Sequence, residues 1–312
     1  MTQPTEPPPG SADPAGASGG LPGCSWHPDR ATGLACTRCG RPACPECLRE
    51  ASVGYHCVDC VQTAQRSQRQ ATTVAGAAVQ TRPIVVPILI AVNLAIFAIT
   101  AAQAGDLLNN FRSSLFAQWQ LWPPVVASGE WWRMLTSGFL HYGPLHLAMN
   151  MLALWILGRD LEVLLGKLRF CALYALSLLG GGVAVYLFGD MSTAVAGASG
   201  AVFGLMGGLV VAIWRLKLNG TQLYVLLAVN LIISFSIPGI SMLGHIGGLV
   251  IGALCAGGML FAPRARRSQV QWATVGLLLV LLVALFITRD AMLGEYICPE
   301  DGYCYQPSGF GV

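Results

Sequence analysis

Charge is what this sequence has least of. Of its 312 residues, 11% are Asp, Glu, Lys or Arg, where a soluble domain carries about 25%. With 54% hydrophobic residues, such a chain is excluded from the ordinary water-soluble globules. The net charge of +3 is too small to indicate nucleic acid as a partner. An apolar leader is also missing. The first twenty residues, MTQPTEPPPGSADPAGASGG, lack the hydrophobic core of a secretory signal and read as a disordered Pro/Gly/Ser tail. The expectation is that the N-terminal region stays in the cytosol and that the first hydrophobic span starts insertion.

What is present is hydrophobicity gathered into runs. Residues 1–82 are polar and rich in Cys, Pro and Gly, and most of the remaining chain is apolar. Runs of about 20 apolar residues are long enough to cross a bilayer. They predict spans near 84–102, 144–158, 168–188, 197–214, 222–240, 242–262 and 270–288. The fold class expected is an all-α polytopic membrane protein: a six-helix core over 83–262, a basic loop and seventh helix over 263–290, and an exported tail over 291–312. Short loops keep Lys and Arg on the cytosolic side. With the N-terminus inside, Arg66, Arg69, Arg82, Arg159, Lys167, Arg169, Arg215, Lys217, Arg264, Arg266 and Arg267 fall in the cytosol, and Arg112, Arg133 and Arg289 outside. The expected product is a multi-pass cell-membrane protein with a cytosolic N-terminus and an extracytoplasmic C-terminus.

Cysteine is plentiful but unevenly placed. Seven of the eleven lie between positions 24 and 60, in the pairs Cys24/His27, Cys36/Cys39, Cys44/Cys47 and Cys57/Cys60. Each pair is separated by two residues and can offer two ligands to one tetrahedral ion, the geometry of structural zinc. Eight ligands suffice for about two ions. A disulfide framework is the competing reading, disfavoured because a cytosolic segment is kept reduced. The segment 21–62 resembles a B-box-type zinc finger. That resemblance implies cross-bracing, with the first and third pairs on one ion and the second and fourth on the other. His56 is a spare ligand. Zinc would supply folding energy that so short a segment lacks, and a closed site points to binding of a cytosolic protein partner or to regulation, with 63–82 as linker. Cys171 and Cys255 fall within spans and read as packing residues. Cys298 and Cys304, in the exported tail, suit a local disulfide.

Polar residues inside spans are costly and mark function. His146 and Asn150 lie one turn apart on the second span, so their side chains leave one face. Ser199 opens the fourth span among Gly197, Gly200 and Gly204, and His245 lies in the sixth with Gly244, Gly248 and Gly252. Each has a plainer reading as a residue that hydrogen-bonds a neighbouring helix. As a set they fit nucleophilic chemistry. A serine hydroxyl needs a base within hydrogen-bond reach, the glycines permit the close approach that brings His245 to it, and a tetrahedral intermediate needs donors such as His146, Asn150 and the Ser199 N–H.

The ordered motifs Trp132-Arg133, His146-x3-Asn150, Gly197-Ala198-Ser199-Gly200 and His245-x2-Gly248-x3-Gly252 resemble the rhomboid family of intramembrane serine proteases, over about 84–262. The resemblance implies a Ser199–His245 dyad needing no cofactor, with His146, Asn150 and the Ser199 N–H around the oxyanion. Phe203 stands where the family packs an aromatic ring on the catalytic histidine. The Trp-rich loop over 103–143 would be partly immersed in lipid, tied down by Arg133 and Glu130. The fifth span would be a lateral gate, with Asn230, Ser234 and Ser236 guiding substrate or bonding within the bundle. Substrates would be single-span membrane proteins with helix-weakening residues, cleaved near the outer face. Two other classes use similar residues: a transporter or channel lining a polar path, and a non-catalytic membrane adaptor working through its zinc module. No inverted repeat supports the first, and the complete motifs argue against the second.

Overall fold

The structure, a computed structural model, describes residues 20–67, 71–79, 82–237, 239–294, 296–298 and 304. Nearly all of the expected N-terminal tail and most of 291–312 lie outside these. The chain divides into two compact units, Met1–Gln70 and Ala71–Val312.

In the first unit, β1 (Gly23–Cys24) pairs antiparallel with β2 (His27–Ala31), and β3 (Leu48–Glu50) with β4 (Tyr55–Cys57). Helix α1 (Val58–Ser67) follows. The buried apolar cluster is Cys24, Cys36, Ala43, Cys44, Cys47, Leu48 and Cys57. Five of those seven side chains are cysteines, so ordinary apolar burial supplies little of what holds this unit together.

The second unit is helical. Its long helices are α2 (Val85–Ala104), α6 (Gly143–Leu165), α7 (Lys167–Phe188), α8 (Ser199–Leu216), α9 (Thr221–Ser236), α10 (Met242–Leu260) and α11 (Arg267–Leu293). Between α2 and α6 run the short helices α3 (Ser114–Trp119), α4 (Pro123–Ala127) and α5 (Arg133–Thr136). These seven long helices match the seven expected runs in order. Among the described residues, five regions, those of α2, α7, α8, α10 and α11, are long and apolar enough to cross a membrane. The chain is therefore a multi-pass membrane protein. Three boundaries move appreciably. Helix α6 continues to Leu165, past the Arg159, Asp160 and Glu162 that end the apolar run, α9 stops at Ser236, leaving 16 residues, and α11 runs on to Leu293.

Glu162 explains why α6 carries charge so far. Its buried carboxylate accepts the N–H groups of Ile84, Val85 and Val86 at 2.7, 2.9 and 2.9 Å. These are the N–H groups at the start of α2, which the helix itself cannot satisfy, and the positive end of the helix dipole favours an anion there. Gln271 plays a similar part, donating to the carbonyls of Ala75 and Met259 and accepting from Arg169.

Helices α7, α8 and α10 form the centre. A Cβ on Gly181 would stand 2.7 Å from the Gly244 carbonyl oxygen, and one on Gly252 would stand 2.5 Å from Gly204 Cα. The helices therefore touch backbone to backbone, as small residues permit in membranes. Cys255 is buried in this packing, but Cys171 is exposed, because its position faces outward from α7; the expectation that it packs is corrected. Cys298 and Cys304 form a disulfide.

Candidate functional site

Ser199 is the first residue of α8, and its N–H is among those without an acceptor in the helix. The turn before it depends on Gly197, whose φ of 137° is open to glycine and strained for other residues. There is also no room for a side chain. A Cβ at Gly197 would lie 2.9 Å from His146 Cε1, 3.1 Å from His146 Nε2 and 3.6 Å from Ser199 Oγ. The Gly197 N–H donates to the Ser137 carbonyl at 2.9 Å, which anchors the turn to the loop region.

His245 enters from the first turns of α10. Its Nε2 is 2.8 Å from Ser199 Oγ, and its ring lies on Phe203, with centroids 4.1 Å apart and planes 11° apart. The contact follows from the glycines: Gly248 and Gly252 meet the backbone of Gly200 and Gly204 one and two turns further along. On its other side, His245 Nδ1 lies 2.6 Å from Ser234 Oγ of α9.

His146 Nδ1 accepts the Tyr142 N–H at 3.2 Å. A neutral imidazole that accepts at Nδ1 carries its proton on Nε2, and Nε2 lies with Cε1 on the side of the ring toward Gly197. Asn150 donates one amide hydrogen to the His146 carbonyl at 2.9 Å, leaving the other available. His146, Asn150, Ser199 and His245 all line one cavity of about 930 Å³, bounded by α6, α8 and α9. Its wall is mainly apolar, with residues such as Met149, Ile156, Leu226 and Ile233. A second space of about 40 Å³ lies against Ser137, Gly181, Ser199 and Gly244, large enough for a water molecule.

Arg133 is buried. It donates to Glu130 at 2.7 Å and to the carbonyls of Ala117 and Gln120 at 2.6 and 3.1 Å. The neighbouring Trp132 is 42% exposed and pairs edge-on with Trp131, so this motif divides into an inward clamp and an outward ring. Ser234 bonds within the bundle, one of the two roles read for it, and only its partner, His245, was not indicated by the sequence. Gly180, Gly181 and Gly182, three successive glycines in α7, are a further readable sign of close helix approach.

The first unit brings its ligands together in two groups: Cys24, His27, Cys44 and Cys47, and Cys36, Cys39, Cys57 and Cys60. The grouping is the alternation that the cross-braced resemblance implies, and His56 belongs to neither. His27 Nδ1 lies 3.9, 3.4 and 3.3 Å from the sulfurs of Cys24, Cys44 and Cys47, and Cys39 Sγ lies 3.7 Å from Cys57 Sγ. Tetrahedral zinc, with Zn–S about 2.3 Å and Zn–N about 2.0–2.1 Å, places its ligand atoms about 3.5–3.8 Å apart. Both groups can hold a metal ion. The Cys57 N–H donates to Cys36 Sγ at 3.2 Å, and Arg41 reaches Cys39 Sγ at 3.5 Å and Asp59 at 3.0 Å; such donors stabilise thiolates. Burial resists ionisation of Cys36, but backbone donors from Cys57, Cys39 and Arg38 prevail and bring it down to about 6. Cys60 is pushed up to about 12 by burial and by its cysteine neighbours. Sulfurs so close together resist ionising at once, and a divalent cation would allow all four to do so.

Residues 128–262, which carry Ser199, His245, His146 and Asn150, match the family model described as Rhomboid domain. The chain is 39% identical over 164 residues to the rhomboid protease GluP of Bacillus subtilis, covering 51% of this chain and 32% of that one. To the rhomboid-family protein YdcA of the same organism it is 37% identical over 139 residues, covering 42% and 70%. To the rhomboid protease AarA of Providencia stuartii it is 28% identical over 207 residues, covering 57% and 73%. The matched stretch thus spans about a third of GluP and more than two thirds of the other two. On the strength of that likeness across its helical unit, this chain belongs to the rhomboid family.

Proposed function

We propose that this protein is an intramembrane serine endopeptidase that cleaves single-span membrane proteins through a Ser199–His245 dyad. The observation that carries the reading is the 2.8 Å contact between Ser199 Oγ and His245 Nε2, within a cavity that His146 and Asn150 also line. Ser199 Oγ attacks the scissile carbonyl carbon while its proton passes to His245 Nε2. The oxyanion receives the Ser199 N–H, the Nε2–H of His146 and the second amide hydrogen of Asn150. His245 then gives its proton to the departing amine. Water entering the cavity hydrolyses the acyl-enzyme with His245 again as base. Phe203 holds the imidazole plane, Gly197 shapes the turn before Ser199, and Gly200, Gly248 and Gly252 set the helix separation that this chemistry needs.

A helical peptide bond is shielded by its own hydrogen bonds, so the substrate must unwind to reach Ser199. The apolar opening beside α9 suits lateral entry from lipid, and helix-weakening residues in the substrate would be favoured. By the distribution of Lys and Arg, the N-terminus is cytosolic and Ser199 lies toward the outer face of the cell membrane. The ligand groups of the first unit are two structural zinc sites with every position filled by protein, outside the catalytic chemistry; their role is to build a small cytosolic module for a protein partner.

The test is cleavage of a single-span reporter by the full chain in lipid vesicles. Ser199→Ala and His245→Ala should each abolish it, and undiminished cleavage by either variant would refute the dyad.

A further inference from the structure

We propose that Ser234 is a positioning residue that fixes the tautomer of His245, so that α9 supplies a third side chain to the pair formed by α8 and α10. The inference rests on the dyad reading above. Helix α9 presents little to the protein interior: Ser234, 4% exposed, is its one buried residue, while Ile232, Ile233 and Phe235 are exposed. Leu223 and Leu227 pack partly buried against the core, but the one fully buried position of α9 is given to a hydroxyl and is not used for apolar packing.

The hydrogen bonds specify what the hydroxyl does. Ser234 Oγ is 2.7 Å from the Asn230 carbonyl oxygen and 2.6 Å from His245 Nδ1. A carbonyl oxygen only accepts, so the single hydroxyl hydrogen goes to Asn230. Toward the imidazole, Oγ can then only accept, and Nδ1 must carry a proton. In the neutral ring this leaves Nε2 with its lone pair directed at Ser199 Oγ, 2.8 Å away, which is the state a general base requires. The bond from a serine or threonine to the carbonyl four residues earlier is common in membrane helices. Ser177, Thr274 and Thr288 make it here, and among the described residues those three hydroxyls have no second side-chain partner. Ser234 is distinguished by having one, and that partner is His245.

Without this acceptor, the Nδ1 proton is buried unpaired or moves to Nε2, where it blocks proton transfer from Ser199. General acid–base assistance as a whole is worth about 10²–10⁴-fold, so loss of the tautomer control should lower kcat roughly tenfold or more. The discriminating pair is Ser234→Thr and Ser234→Val, which are nearly the same shape and differ in the hydroxyl. Both are made in the full chain in lipid vesicles and assayed on a single-span reporter, beside Ser199→Ala. The expected result is near-wild-type kcat for Ser234→Thr and a kcat lower by roughly tenfold or more for Ser234→Val, with KM unchanged. Equal kcat for the two variants, or a defect of Ser234→Val confined to KM, overturns the assignment. If Ser199→Ala still cleaves, the dyad reading itself falls. If Ser199→Ala is inactive while the two Ser234 variants match in kcat, only the role of Ser234 falls.

Discussion

Gly252→Ala adds one methyl group two turns from His245, and the structure gives its consequence in ångströms. The new Cβ would stand 2.5 Å from Gly204 Cα, whereas carbons in contact prefer about 3.5–4.0 Å. The Cβ is fixed by its own backbone and Gly204 Cα is backbone, so no side-chain rotation relieves the overlap, and α8 and α10 must part by about 1 Å. The Ser199–His245 contact of 2.8 Å spans the same two helices and would lengthen beyond hydrogen-bond range. A displacement of that size costs a reaction about 10²-fold, and overpacking costs about 1–3 kcal/mol of stability. Gly257→Ala is the control. It lies on the same helix, but its Cβ would meet nothing within 4 Å, so it should keep full activity and gain up to about 1 kcal/mol from helix propensity. Initial rates of reporter cleavage in vesicles, with thermal unfolding of each variant in detergent, measure both terms. Wild-type kcat in a folded Gly252→Ala protein would refute the argument that backbone contact between α8 and α10 sets the dyad.

Glu162→Ala removes the acceptor of three backbone N–H groups and should destabilise the helical unit by about 3 kcal/mol or more, since hydrogen bonds to a charged group contribute about 1.5–3 kcal/mol each. Glu162→Gln should cost less, and kcat of the folded fraction should stay near wild type because the residue lies at the far end of α6 from His146; unchanged unfolding temperatures would contradict the capping role. Metal analysis of the purified chain should find about two zinc ions, with Cys36→Ser losing about one of them. Acidification should release the metal as protons compete for the thiolates, while removal by a chelator should leave reporter cleavage intact.

Much of the helical unit was legible because burial in lipid demands long apolar runs, and those runs order α2 and α6–α11 directly. Their ends were less legible. Helix α6 continues beyond its apolar stretch because Glu162 is needed by the start of α2, a contact across 76–78 positions that no local pattern records. The candidate site was legible, as a set of residues brought together, where chemistry and spacing coincide. His146 and Asn150 show their shared face by a spacing of four, and the glycines around Ser199 and His245 announce close approach. Phe203 followed from the family resemblance. That Ser234 bonds within the bundle was legible, but its partner was not, because a serine in a membrane helix commonly bonds its own backbone and the meeting with His245 depends on how α9 seats against α10. Cys171 shows the same limit from the other side: an apolar run does not reveal which face points outward. In the first unit, paired ligands were evident from spacing, but spacing alone does not choose partners; the alternation came from the resemblance to a cross-braced finger, and the distances around His27 agree with it.

Activation of Ser199 by His245 is tested most directly by labelling the full chain with a fluorophosphonate and mapping the phosphonylated residue in its peptides. One adduct is expected, on Ser199, absent in Ser199→Ala and strongly slowed in His245→Ala. An adduct that persists in Ser199→Ala, or a labelling rate indifferent to His245, would contradict a nucleophilic Ser199 with His245 as its base.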